Sequence, residues 1–104
     1  MKFIFEVQVR PGTTIEDYAE VWQEASRIIQ QAPGARGTYL HRKIGHPDTA
    51  IAIAHWDSKV ARDAMEQHVD ADRMQQLIDS FGDRCDIRLI GEFEEPEWEV
   101  EPSN

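Results

Sequence analysis

The sequence predicts an α+β domain of the ferredoxin-like kind, ordered β-α-β-β-α-β, with a four-stranded antiparallel sheet and both helices on one face. Three observations predict it. Four short stretches alternate apolar and polar residues with the period of a strand, two longer stretches repeat apolar residues at helical spacing, and turn or cap residues separate them. At 104 residues there is room for one core and no second domain.

Phe3 to Val9 reads as the first strand, with Phe3, Phe5, Val7 and Val9 on its buried side, and Arg10-Pro11-Gly12 ends it. Thr13 followed by Glu16 fits a capping box. Ile15, Tyr18, Ala19, Trp22, Ala25, Ser26 and Ile29 then mark a helix over about residues 14–32, stopped by Ala32-Pro33-Gly34. Arg36 to Ile44 alternates again, with Tyr39, His41 and Lys43 on one side of a second strand. Gly45-His46-Pro47-Asp48 has the chemistry of a hairpin turn into the third strand, which ends at Trp56. A second helix starts near Ser58 with Val60, Ala61, Ala64, Met65 and His68 as its apolar stripe. Asp70-Ala71-Asp72 interrupts it, predicting a kink before Met74, Leu77, Ile78 and Phe81 resume the pattern. After Gly82, Cys85 to Phe93 forms the fourth strand. The domain thus spans residues 1–94, and residues 95–104 form an acidic tail in which Trp98 and Val100 alternate with glutamates, either solvated or added to a partner's sheet edge.

Eleven Lys and Arg face 20 Asp and Glu, a net charge of −9 that repels nucleic acid and anionic membranes alike. The single cysteine, Cys85, allows no internal disulfide, the first residues lack a signal-peptide pattern, and no apolar run approaches the ~20 residues of a membrane span, so a cytoplasmic location is expected. Ile4, Ile51, Ile53 and Ile90 fall on the sheet face away from the helices. An apolar face of this kind implies a homodimer with the sheets facing each other.

Function is written around the third strand. Ala50, Ala52 and Ala54 share one face, and a floor of methyl groups leaves space between sheet and helices for a small ligand. Trp56 at the strand end is either a stacking platform or plain core. Trp22, Met65 and Phe81 complete apolar walls. His68, in phase with the helical stripe, is expected to point inward as a general base or haem ligand, or else as a buried histidine satisfied by a carbonyl or by the Trp56 indole. His41, His46 and His55 lack metal-site spacing, so no metal is expected, and Cys85 reads as a small buried hydrophobe.

The element order over residues 2–94, with Trp56-Asp57-Ser58 closing a strand and His68 on the following helix, resembles the antibiotic biosynthesis monooxygenase-like family of dimeric α+β barrels. The resemblance implies a cofactor-independent monooxygenase acting on a small aromatic or quinol-like compound, with His68 catalytic and Trp56 at the substrate; the reading of the pocket adds Ala52, Trp22, Met65 and Phe81 as substrate contacts. The family's better-understood oxygenases carry a pocket asparagine on the first or third strand. The corresponding positions here read Val7 and Ala52, and the only asparagine is Asn104. A non-catalytic small-molecule-binding domain and a cofactor-free isomerase therefore stay open beside the oxygenase.

Overall fold

The computed structural model describes residues 1–103; Asn104 lies outside the described residues. Its elements are β1 (Lys2–Val9), α1 (Ile15–Ile29), β2 (Ala35–Lys43), β3 (His46–Trp56), α2 (Lys59–Asp63), a 3-10 turn (Met65–Gln67), α3 (Ala71–Asp79) and β4 (Cys85–Phe93). The four strands form one antiparallel sheet in the order β2-β3-β1-β4, the ferredoxin-like arrangement the alternation predicts. Register confirms the faces: Phe3, Phe5 and Val7 pair with Ala54, Ala52 and Ala50, so the small residues of β3 lie beside the large ones of β1.

Three local details differ from the expectation. The cap of α1 is Thr14, one residue later than the spacing predicts: its side chain accepts from the Asp17 N–H, and the Asp17 carboxylate accepts from the Thr14 N–H at 3.1 Å. The hairpin is tighter, because β3 begins at His46 and leaves Ile44 and Gly45 to turn, with Gly45 at φ +81°. The second helix breaks at Ala64 as well as at the expected Asp70, which caps α3 by accepting from the Arg73 N–H at 2.9 Å.

Helix α1 lies over β2 and β3 and packs on α3, whereas α2 sits on β3. Two clusters of buried residues result. One gathers Val7, Val9, Ile15, Tyr18, Ala50, Phe81 and Cys85; the other is built on Met1, Ala32 and Trp56, with Phe3, Ile29, Ala54 and Met65 around them. Among the described residues no helix or strand packs on the opposite sheet face. There Ile4 pairs with Ile53, Ile51 pairs with His41, and Tyr39 meets His55 edge to face at 5.6 Å, which places Tyr39 and His41 on the helix-free side. Residues 94–103 form neither helix nor strand, and Trp98 and Val100 are almost fully exposed. Among the described residues no helix is long and apolar enough to cross a membrane.

Candidate functional site

The Trp56-Asp57-Ser58 junction is held from several sides. The Trp56 N–H donates to the Met1 carbonyl at 2.9 Å, the Asp57 N–H donates to the Gly34 carbonyl at 2.8 Å, and Arg36 contacts the Asp57 carboxylate. Ser58 caps α2, accepting from the Ala61 N–H at 3.1 Å. Every residue of the junction is therefore committed structurally, since the tryptophan fills the core, the aspartate ties the strand end to β2, and the serine starts the helix. Gly34 has no freedom to vary, because a Cβ there would lie 2.6 Å from that of Ala61 and its φ is +87°.

Between the two core clusters lies a cavity of about 520 Å³. It exists because the second helix is broken: α2 packs at the Trp56 end and α3 at the Phe81 end, and neither fills the middle. Trp22, Trp56, Met65 and Phe81, all expected from the sequence, meet around it. Phe3, Phe5 and Ala54 form its floor, and α1 contributes Tyr18, Ser26 and Ile29. The side along β4 is open, since Ile87 and Leu89 line the cavity while each remains 57% exposed. A volume of this size matches the pockets that take drug-sized ligands.

Two expectations need correction. His68 does not face the cavity. It lies exposed at the end of the 3-10 turn, because the break at Ala64 and the tighter winding after it lose the helical phase; Met65 keeps its expected inward position and Val69 packs inward in place of His68. Val60, from the same expected stripe, is likewise 78% exposed. The alanine floor is also shorter than expected. Ala50 belongs to the first core cluster, and Ala52, flanked by Phe5 and Leu40 on the neighbouring strands, is 1% exposed and does not line the cavity; Ala54 alone does. The position where the resemblance places an asparagine on β1, Val7, is fully buried.

The polar groups at the cavity are few. Burial pushes the Tyr18 phenol far up, so it is neutral at physiological pH and carries an O–H available to donate. Burial also raises the Cys85 thiol, whose sulfur lies 3.5 Å from the Phe81 carbonyl, which suits a packed thiol better than a nucleophile. The one charged group in the lining is Arg62 of α2, which periodicity does not flag because it lies off the apolar stripe. Its guanidinium carbon sits 4.2 Å from the centre of the Phe3 ring. The signal that points to it is pairing: its neighbour Lys59 takes Asp63 at 3.2 Å and Glu92 at 2.8 Å, leaving Arg62 only a 3.6 Å approach to Asp63. Among the described residues no three His, Cys, Asp or Glu side chains gather as a metal site.

A sequence model described as antibiotic biosynthesis monooxygenase matches residues 1–80. No curated protein matches the chain by sequence. Among solved structures, the cofactor-independent oxygenase SnoaB from Streptomyces nogalater superimposes with a TM-score of 0.69 at 12% identity, covering 93% of this chain and 96% of that one. A conserved protein of unknown function from Bacteroides thetaiotaomicron VPI-5482 gives 0.69 at 15% identity, with 85% and 89% covered. A conserved protein from Methanosarcina mazei Go1 gives 0.66 at 11% identity, with 88% and 91% covered. At these identities the likeness is one of fold.

Proposed function

Because the chain belongs to the antibiotic biosynthesis monooxygenase family, we propose that it is an oxidoreductase that transfers one oxygen atom of O2 to a flat aromatic, quinol-like compound held between its two core clusters. The observation that carries this reading is the cavity: about 520 Å³, walled by Trp22, Trp56 and Phe81 and open along β4. Aromatic walls suit a planar ring system, which they contact by stacking or edge to face. The reaction needs no reductant beyond the substrate. A phenol with a free para carbon loses its C–H and O–H hydrogens, one oxygen atom becomes the new carbonyl of a quinone, and the other leaves as water with both hydrogens. All four electrons that reduce O2 come from the ring.

Within this reading the protein positions and desolvates the ring. The neutral Tyr18 phenol is available as a hydrogen-bond donor, and the apolar walls remove water from the parts of the ring they cover, the side along β4 staying open. The substrate is tested with a panel of naphthols and anthrones in an oxygen electrode. Oxygen uptake with matching quinone formation supports the oxygenase.

A second reading, a binding domain without turnover, is favoured by one observation: among the described residues, the cavity lining contains no carboxylate and no imidazole to act as a base. Thermal stabilisation by the same compounds without oxygen uptake identifies that case. Conversion under strictly anaerobic conditions identifies an isomerase. The assembly completes the proposal: two copies pair through the helix-free sheet face, covering Ile4, Ile51 and Ile53. Sedimentation is expected to give a dimer at micromolar concentration. Ile53→Glu should return it to a monomer, since an unpaired charge buried at an interface costs several kcal/mol.

A further inference from the structure

We propose that Arg62 is a specificity residue that selects substrates carrying an ionised oxygen, a phenolate or enolate, on an otherwise apolar ring system. The inference rests on the reading of the cavity as a substrate site. Among the described residues that line it, Arg62 is the sole charged one, and the rest are almost all apolar. A cation set against apolar walls attracts an anion more strongly than one fully in water, and at 29% exposed Arg62 keeps only part of its hydration. Its one anionic partner compensates it only in part. Asp63 approaches only to 3.6 Å, beyond hydrogen-bond distance, and that carboxylate is shared with Lys59. The Arg62 guanidinium carbon lies over the Phe3 ring at 4.2 Å, and a ring face uses none of the guanidinium's five N–H donors in a conventional hydrogen bond. Arg62 is 29% exposed, so the group stands at the cavity wall with access to a ligand inside. This arrangement also answers how a substrate is activated without a base in the lining: an adjacent guanidinium lowers the pKa of a bound phenol, the phenol gives its proton to solvent water at the side open along β4, and the electron-rich phenolate that remains is the form that reacts with O2.

The test uses two probes of the same shape, anthracene-2-carboxylate and anthracene-2-carboxamide, titrated at pH 7.5 against the wild-type protein and the Arg62→Met, Arg62→Lys and Asp63→Asn variants. The carboxylate stands in for the ionised oxygen of the substrate. Wild type is expected to prefer the anion by about tenfold or more. Arg62→Met should abolish the preference while keeping the affinity for the amide, and Arg62→Lys should restore part of it. Asp63→Asn, a change on an exposed helix surface that leaves folding intact, should tighten the anion by removing the competing carboxylate. Equal binding of both probes by wild type, or a preference that survives Arg62→Met, overturns the role of Arg62 and leaves the cavity reading standing. Failure of both probes to bind overturns the cavity reading and this role with it.

Discussion

Leucine substitutions at Ala54 and Ala52, two residues apart on the same face of β3, should have opposite effects on stability. Leucine adds three carbon atoms to alanine. At Ala54 they enter the cavity, where burial of a methylene is worth about 0.8 kcal/mol; since this position is only partly enclosed, the net gain is about 1 kcal/mol. At Ala52, already 1% exposed and flanked by Phe5 and Leu40, the same atoms overpack a filled site at a cost of about 1–3 kcal/mol. For a domain of this size each kcal/mol moves the melting temperature by about 4–8 °C. Ala54→Leu should therefore melt a few degrees above wild type and fail to bind anthracene-2-carboxylate, whose ring it displaces. Ala52→Leu should melt below wild type and, at temperatures where it is folded, still bind. Circular dichroism melts and fluorescence titration read both outcomes. If Ala52→Leu keeps its melting temperature and blocks binding while Ala54→Leu does neither, the cavity floor has been placed on the wrong alanine.

His68→Gln should leave ligand binding and oxygen uptake within about twofold of wild type and stability within about 0.5 kcal/mol, as for most exposed positions; complete loss of turnover in the oxygen electrode would restore the histidine as a base. Gly34→Ala should lower the melting temperature more than Gly12→Ala. Both sites have positive φ, but only Gly34 faces a neighbour, the Ala61 Cβ at 2.6 Å, so the difference between the two melts isolates that contact. Acid should destabilise the fold. Asp17, bonded by the Thr14 backbone N–H and hydroxyl, and Asp86, bonded by Arg10, are held below the usual carboxylate range. A depressed folded-state pKa means the unfolded chain takes up protons first as pH falls, so this stabilisation is present in full above the unfolded value near ~4 and is lost below it. Urea midpoints should be flat from pH 7 to 5 and fall toward pH 3; a rise on acidification refutes the assignment.

The strands, their order along the chain and the buried faces of β1 and β3 are legible in the sequence because a period of two is a local property, and burial of one side forces it on the chain whatever lies opposite. The same holds for Trp56, Trp22, Met65 and Phe81, whose size commits them to the interior and so to the cavity walls. The face of Tyr39 and His41 is not legible. It depends on the register of β2 against β3, which a strand with polar residues on both sides does not encode. His68 escapes sequence reasoning for a related reason. Helical phase holds only while the helix continues, and nothing local in Ala64-Met65-Glu66 marks the change to a 3-10 turn that sends His68 outward and lets Val69 in. Arg62 is the converse case: off the stripe in sequence, it reaches the cavity because α2 is only five residues long, with Phe3 of a distant strand beneath the guanidinium. Patterns that repeat over a few residues thus specify the layers and the large side chains between them. Which charge borders the cavity is a matter of tertiary packing, because it depends on where two helix fragments stop over a sheet assembled from both ends of the domain.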